Sequence, residues 1–293
     1  MSVAAYAAVA RAPFLLLPVT LIAVGTGAAV YLGMEDWVRA GLALLGLLGV
    51  HVAVNALNEA SDFRSGIDFN TERTPFSGGS GTLPAGQLSH RKAVATGLVG
   101  GAVGVAVGLY FITVVGVNLV PILAIGALSV FAYSDFLARG YVGEFFAGLG
   151  LGALPIVGTT LVQTGAYETV AIAASIPAFF MTFNLLLLNE FPDEEADRTG
   201  GRRNLVLLLG RRKAARLYAL FALLVPVWLI AGVALDYLPP LSLAAIAPSL
   251  LLVAGFRWAL TRPETPVPVP ALGSNVIWNL STNVVLAVAL ALS

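Results

Sequence analysis

Nine stretches of about twenty mainly apolar residues run through this chain, near 13–33, 38–60, 93–115, 118–138, 142–163, 169–191, 214–235, 240–260 and 272–292, with short polar breaks between them. A helix crossing the hydrocarbon core of a bilayer needs roughly 20 such residues. Composition agrees, because 58% of the residues are hydrophobic and 11% charged, against roughly 25% charged in soluble domains. The expected fold is all-α: one polytopic membrane domain over 1–293 with nine transmembrane helices, its partner the lipid bilayer. The opening segment reads as a retained first helix rather than a signal peptide, since Arg11 lies behind an apolar stretch.

Basic residues in short loops set orientation. With nine helices, the amino terminus and the loops after helices two, four, six and eight share one side of the membrane. Of the 16 lysines and arginines, only Arg39 then falls on the other side, beside Glu35, Asp36, Glu168 and Asp236. One miscounted helix would swap every later loop. The basic side is read as cytoplasmic, in a multi-pass protein of the cell membrane. Zero net charge gives no sign of a nucleic-acid partner.

The chain has no cysteine and two histidines, His51 and His90. Disulfides, thiolate nucleophiles and cysteine-ligated zinc are excluded, so a bound metal would be a hard ion held by oxygen. Most other acids fall in two places on the basic side: NALNEASDFRSGID from Asn55 to Asp68, and NEFPDEEADRTGGRRN from Asn189 to Asn204. Each contains Asn-Glu-x-x-Asp, as Asn58, Glu59, Asp62 and as Asn189, Glu190, Asp193, an apparent parallel internal repeat. Residues four apart stack on a helix, so Asn58 and Asp62 aim oxygens at one point, continuing a stripe from His51 and Asn55. Asn189, Asp193 and Asp197 have the same spacing, with Pro192 set to kink the chain just before Asp193. Clustered carboxylates repel unless cations intervene, and magnesium takes oxygen ligands while sharing its shell with phosphates. Two facing clusters could hold a diphosphate through Mg2+. Solvated helix-end charges are the plainer alternative, and Glu194 and Glu195 are read that way.

Asn-x-x-x-Asp after the second helix and Asp-x-x-x-Asp after the sixth resemble the UbiA superfamily of intramembrane prenyltransferases. The spacing Asn55, Asn58, Asp62, Gly66, Asp68 and Asn189, Asp193, Asp197, Gly201, Arg202 is most similar to the 1,4-dihydroxy-2-naphthoate polyprenyltransferase branch, with Arg73-Thr74-Pro75 and Gly143-Glu144 as further short matches. Glu59 stands where the branch has Asp, Pro192 where it has a basic residue, and Arg139 is a loose substitute for a lysine near Tyr133-Ser134. The resemblance implies a bundle around a central cavity, with Mg2+ and a prenyl diphosphate at the cytoplasmic mouth. Asn58, Asp62, Asp68, Asn189, Asp193 and Asp197 would form the metal shell, with Asp62 and Asp193 essential to catalysis, and Asn55 and Glu144 would contact substrate.

Guanidinium pairs well with phosphate oxygens, which makes Arg73, Arg198 and Arg202 diphosphate candidates, together with Arg139; topology alone would also place basic residues there. The implied reaction is prenyl transfer to an aromatic acceptor, 1,4-dihydroxy-2-naphthoate in menaquinone synthesis. Other acceptors stay open: 4-hydroxybenzoate, homogentisate, a chlorophyll precursor or a prenylated glycerol phosphate. So does an ion-coupled transporter, the alternative outside enzymology.

The 61–91 loop is long enough to fold over the mouth, and its Gly78-Gly79-Ser80-Gly81 run reads either as a phosphate nest or as plain turns. Gly148, Gly150 and Gly152 are read as helix-packing positions, and Asn275, Asn279 and Asn283 as interhelical hydrogen-bonders.

Overall fold

The computed structural model describes residues 2–71, 73–133 and 136–293. Among these, every regular element is helical. Eight helices are long and apolar enough to cross a membrane: α1 (Ala12–Tyr31), α2 (Trp37–Ser65), α3 (His90–Val115), α5 (Gly143–Thr164), α6 (Thr169–Glu190), α7 (Arg211–Ala234), α8 (Pro240–Thr261) and α9 (Val269–Ala291). The shorter apolar α4 (Val117–Phe131) makes the ninth segment. Each expected stretch thus has its helix, but α4 stops well short of 138. A 3-10 turn, Leu137–Arg139, takes over before Gly140. Ser134, part of the expected Tyr133-Ser134 signature, lies outside the described residues.

Asp36 caps α2 by accepting from the N–H groups of Val38 and Arg39 at 3.0 and 2.9 Å. Gly66 ends that helix in the left-handed conformation, φ 84°. Because α2 continues to Ser65, Asn58 and Asp62 both stand on regular helix. Glycine permits α2 and α3 to touch backbone to backbone: a Cβ on Gly49 or on Gly100 would lie 2.6 Å from the other's carbonyl oxygen. The α5 glycines behave alike, since a Cβ on Gly152 would lie 2.6 Å from the Ala178 carbonyl of α6.

The main core joins α1, α5, α6, α7, α8 and α9 through Leu21, Ile156, Met181, Leu229, Leu252 and Trp278, all fully buried. Asn275 of α9 donates to the Asn184 carbonyl of α6 at 3.5 Å, and Asn283 donates to Asn279 at 2.9 Å. Large apolar side chains such as Leu98, Val99 and Leu109 of α3 stay exposed, as a lipid-facing helix requires. Between α2, α3, α4 and α5 lies an apolar cavity of about 410 Å³ lined by Leu47, Val50, Phe111, Ile112, Leu123 and Val130. On α2, Val50 and Asp62 are separated by roughly 18 Å, at about 1.5 Å per residue. The cavity and the acidic residues therefore share one helix, at different depths.

Candidate active site

Both acidic motifs lie at the same end of the bundle, and Arg202 joins them. Its Nη2 donates to Asn58 Oδ1 at 2.7 Å and to both oxygens of Asp62 at 2.5 and 2.7 Å, while Nη1 stands 3.7 Å from Asp197 Oδ1. Asn58 Nδ2 adds a bond to Asp62 Oδ2 at 3.0 Å, as the four-residue spacing requires. Arg202 reaches this position because Gly201, at φ 78°, turns the chain after the helix Glu194–Gly200.

The second motif differs from its expected form. Pro192 lacks the N–H that would continue α6. The helix ends at Glu190, and a new seven-residue helix starts at Glu194 with Asp193 as its cap residue. Asp193 and Asp197 remain one turn apart, since the Asp197 N–H donates to the Asp193 carbonyl at 2.8 Å. Asn189 is left across the break, half-buried at the end of α6.

The 66–89 segment folds over the mouth and contacts both motifs. Thr71 Oγ1 donates to Asp193 Oδ1 at 2.5 Å, and the Gly78 N–H to Asp193 Oδ2 at 3.2 Å. The Ser80 N–H donates to both Glu59 oxygens at 3.1 Å, and its hydroxyl bonds Glu59 as well. The glycine-rich N–H groups therefore hold carboxylates. Gly78, Gly79 and Gly81 all have positive φ, which explains their residue type. Arg73 lines this loop and donates to the Asp68 carbonyl at 2.7 Å.

The remaining expected site residues divide into those at the mouth and those elsewhere. Asp68 is buried on a short helix, Ile67–Asn70. Asn55 donates to the Ala10 carbonyl at 3.0 Å, tying the amino-terminal segment to α2. Arg139 is exposed at the rim, where its Nη1 would be 3.4 Å from a Cβ on Gly201. Glu144 is fully buried, accepts from the Leu205 N–H at 2.6 Å and lies within hydrogen-bonding reach of Glu190. Arg198 points outward, 57% exposed, and pairs with Glu194 at 3.0 Å and Glu195 at 3.4 Å. Helical i,i+4 and i,i+3 spacing decides those partners. Arg198 thus turns away from the Arg202 cluster, and Asn55 is taken up by the Ala10 carbonyl.

Three residues had no site role in the sequence reading. Glu59 is fully buried, and Arg11 Nε stands 4.0 Å from it. Arg11 is also held in the left-handed region at φ 51°, unusual for a side chain of its size. Glu190, buried one residue past Asn189, completes the group. Both glutamates were visible as repeated letters in the two motifs.

Buried acids outnumber the cations set against them, and their electrostatics show it. Burial pushes the Asp68 carboxyl up to about 7, helped by the charges of Asp62 and Glu59. Burial likewise raises Asp197 to about 7, with Arg202 opposing the shift. Asp193 is raised by burial, against the Thr71 bond. Among the described residues no three acidic or histidine side chains converge on one point as they stand. Asp68 Oδ2 and Asp197 Oδ1 are nevertheless buried without a hydrogen-bond partner. Hard anionic oxygens left unsatisfied suit a hard divalent cation.

The model of the UbiA prenyltransferase family matches residues 15–279. This chain belongs to that family. It is an integral membrane prenyltransferase, and the transporter alternative falls with that membership. Among the relatives of this UbiA chain, the 1,4-dihydroxy-2-naphthoate octaprenyltransferase of Bacillus subtilis (strain 168) is 25% identical over 219 residues, 71% of this chain and 67% of the relative. A UbiA homolog from Archaeoglobus fulgidus bound to GPP and Mg2+ shares the fold with a TM-score of 0.68 at 16% identity, over 99% of this chain and 100% of that one. An apo UbiA homolog from Aeropyrum pernix K1 gives 0.66 at 18% identity, over 90% and 97%. A digeranylgeranylglyceryl phosphate synthase gives 0.64 at 17% identity, over 98% and 96%.

Proposed function

We propose that this UbiA chain transfers a polyprenyl group from an allylic prenyl diphosphate to 1,4-dihydroxy-2-naphthoate, in a Mg2+-dependent step of menaquinone synthesis. The observation that carries the reading is the junction of the two acidic motifs through Arg202, above an apolar cavity shared with α2. The naphthoate relative supports the acceptor, and the Archaeoglobus homolog with GPP and Mg2+ supports the donor and the metal.

In this reading Asp62, Asp68, Asp193 and Asp197, with Asn58 and Asn189, hold the cation. Bound there, Mg2+ would supply charge to stabilise the leaving diphosphate. Arg11, Arg73 and Arg202 surround the same place and offer guanidinium donors to phosphate oxygens. As the allylic C–O bond breaks, its electron pair leaves on the diphosphate, and these arginines stabilise that charge. The cavity from Leu47 to Val130, deeper along α2 than Asp62, would take the distal hydrocarbon of the prenyl chain. Glu144, buried beside Glu190, is the residue this reading assigns to the acceptor. The positive-inside pattern supports a cytoplasmic mouth.

The test is to incubate the purified protein with Mg2+, geranylgeranyl diphosphate and each acceptor in turn, then weigh the products. The expected main product is the ring of the naphthoate acceptor carrying the prenyl group, with diphosphate lost from the donor and a proton or carbon dioxide lost from the ring carbon attacked. A product formed only with a prenylated glycerol phosphate, or with another aromatic ring, overturns the acceptor while leaving prenyl transfer intact.

A further inference from the structure

A cation that must sit between two acidic motifs meets a competitor in this structure, because the chain already places one of its own there. The Arg202 guanidinium touches Asn58 and both oxygens of Asp62 and lies 3.7 Å from Asp197, with its side chain 16% exposed. A carboxylate with both oxygens on one guanidinium has given up its best geometry for another ligand. Asp193, on the other motif, likewise has one oxygen on Thr71 and the other on the Gly78 N–H. Asp62 and Asp193 are thus both satisfied by the protein itself.

Resting on the site reading above, we propose that Arg202 is an internal counter-cation that keeps the divalent metal out until a diphosphate arrives. A metal binding alone must displace the guanidinium and leave it buried beside acids that no longer need it. A diphosphate offers Arg202 a second anionic partner, so releasing Asp62 to the metal no longer strands a charge. Metal and diphosphate then bind cooperatively, each favouring the other through one shared arginine.

The experiment measures Mn2+ binding to the full-length purified protein by electron paramagnetic resonance, without any phosphate compound. R202Q is expected to bind Mn2+ about tenfold more tightly than wild type, a common size for such coupling. R202K keeps a charge but not the fork that spans Asn58, Asp62 and Asp197, and a gain of about threefold is expected. If R202Q does not fold, R202K alone decides. Wild-type Mn2+ affinity in every folded variant overturns the proposal. Should D62N abolish Mn2+ binding in that case, the metal site stands and only the gating by Arg202 falls. If no protein binds Mn2+ even with geranyl diphosphate added, the site reading itself fails, and the gating with it.

Discussion

Asp62 stands on a helix that runs unbroken from Trp37 to Ser65, whereas Asp193 caps a short helix that begins only after the break at Pro192. Their partners differ accordingly. Asp62 is bound by a guanidinium from the opposite motif, and Asp193 by a hydroxyl and a backbone N–H from a loop. One carboxylate is placed by its own helix and neutralised by a side chain. The other is placed by the loop that covers it. The difference teaches that the same three letters, Asn-Glu-x-x-Asp, can be supported in two ways: the first motif is largely preorganised, and the second depends on the 66–89 segment.

The largest effects test whether the two acids still act as equals. D62A and D193A are each expected to lower prenyl transfer about a hundredfold or more, in the range seen when a charge-stabilising group is removed. Transfer is measured in membranes with Mg2+ and labelled prenyl diphosphate, with insertion checked separately. If both variants keep more than a tenth of wild-type turnover, the pairing of the motifs is wrong. If only one does, the site is asymmetric in chemistry and not just in support.

A smaller change separates the supports. Gly78 has φ 83°, and a Cβ there would lie 3.0 Å from the Arg73 Cα, so G78A must shift the N–H that reaches Asp193. A left-handed residue with a Cβ costs about 1–2 kcal/mol. Gly86 provides the control, since it has φ 69° and nothing within 4 Å of its would-be Cβ. G78A is expected to reduce kcat/KM for the prenyl diphosphate about tenfold, a loss of transition-state stabilisation of about 1.4 kcal/mol. G86A is expected to lose only thermal stability. Equal activity in the two variants would show that the loop's grip on Asp193 is incidental.

The contrast also shows what the sequence could and could not tell. Asn58 and Asp62 were legible because helix periodicity alone aligns them, and α2 keeps that periodicity to Ser65. The nine apolar segments were legible because bilayer thickness sets their length. Arg202 was a named candidate, yet its bridge to Asp62 spans 140 residues and comes from tertiary packing, which no local spacing encodes. Arg198 carries the same charge, but its neighbours Glu194 and Glu195 capture it first. The early end of α4 was hidden because Ala132 and Tyr133 just past Phe131, and Phe136 and Leu137 beyond, extend the count of apolar letters past the helix. Glu59 was visible, and its repetition as Glu190 was the signal; what it binds, Ser80, depends on how a long loop folds.

The smallest effect concerns the two asparagines that open the repeated letters. Asn58 bonds both Asp62 and Arg202, so removing its amide loosens a carboxylate and a guanidinium together. Asn189 lies across the Pro192 break from Asp193 and so cannot stack on it as Asn58 stacks on Asp62. N58A is therefore expected to cost about tenfold in kcat/KM, and N189A about threefold, the size of a single weak polar contact. Both are read under saturating Mg2+, then repeated with the metal limiting. An N189A loss that equals or exceeds that of N58A would mean that α6 straightens in the loaded enzyme and brings Asn189 over Asp193. In that event the asymmetry between the motifs disappears when substrate binds.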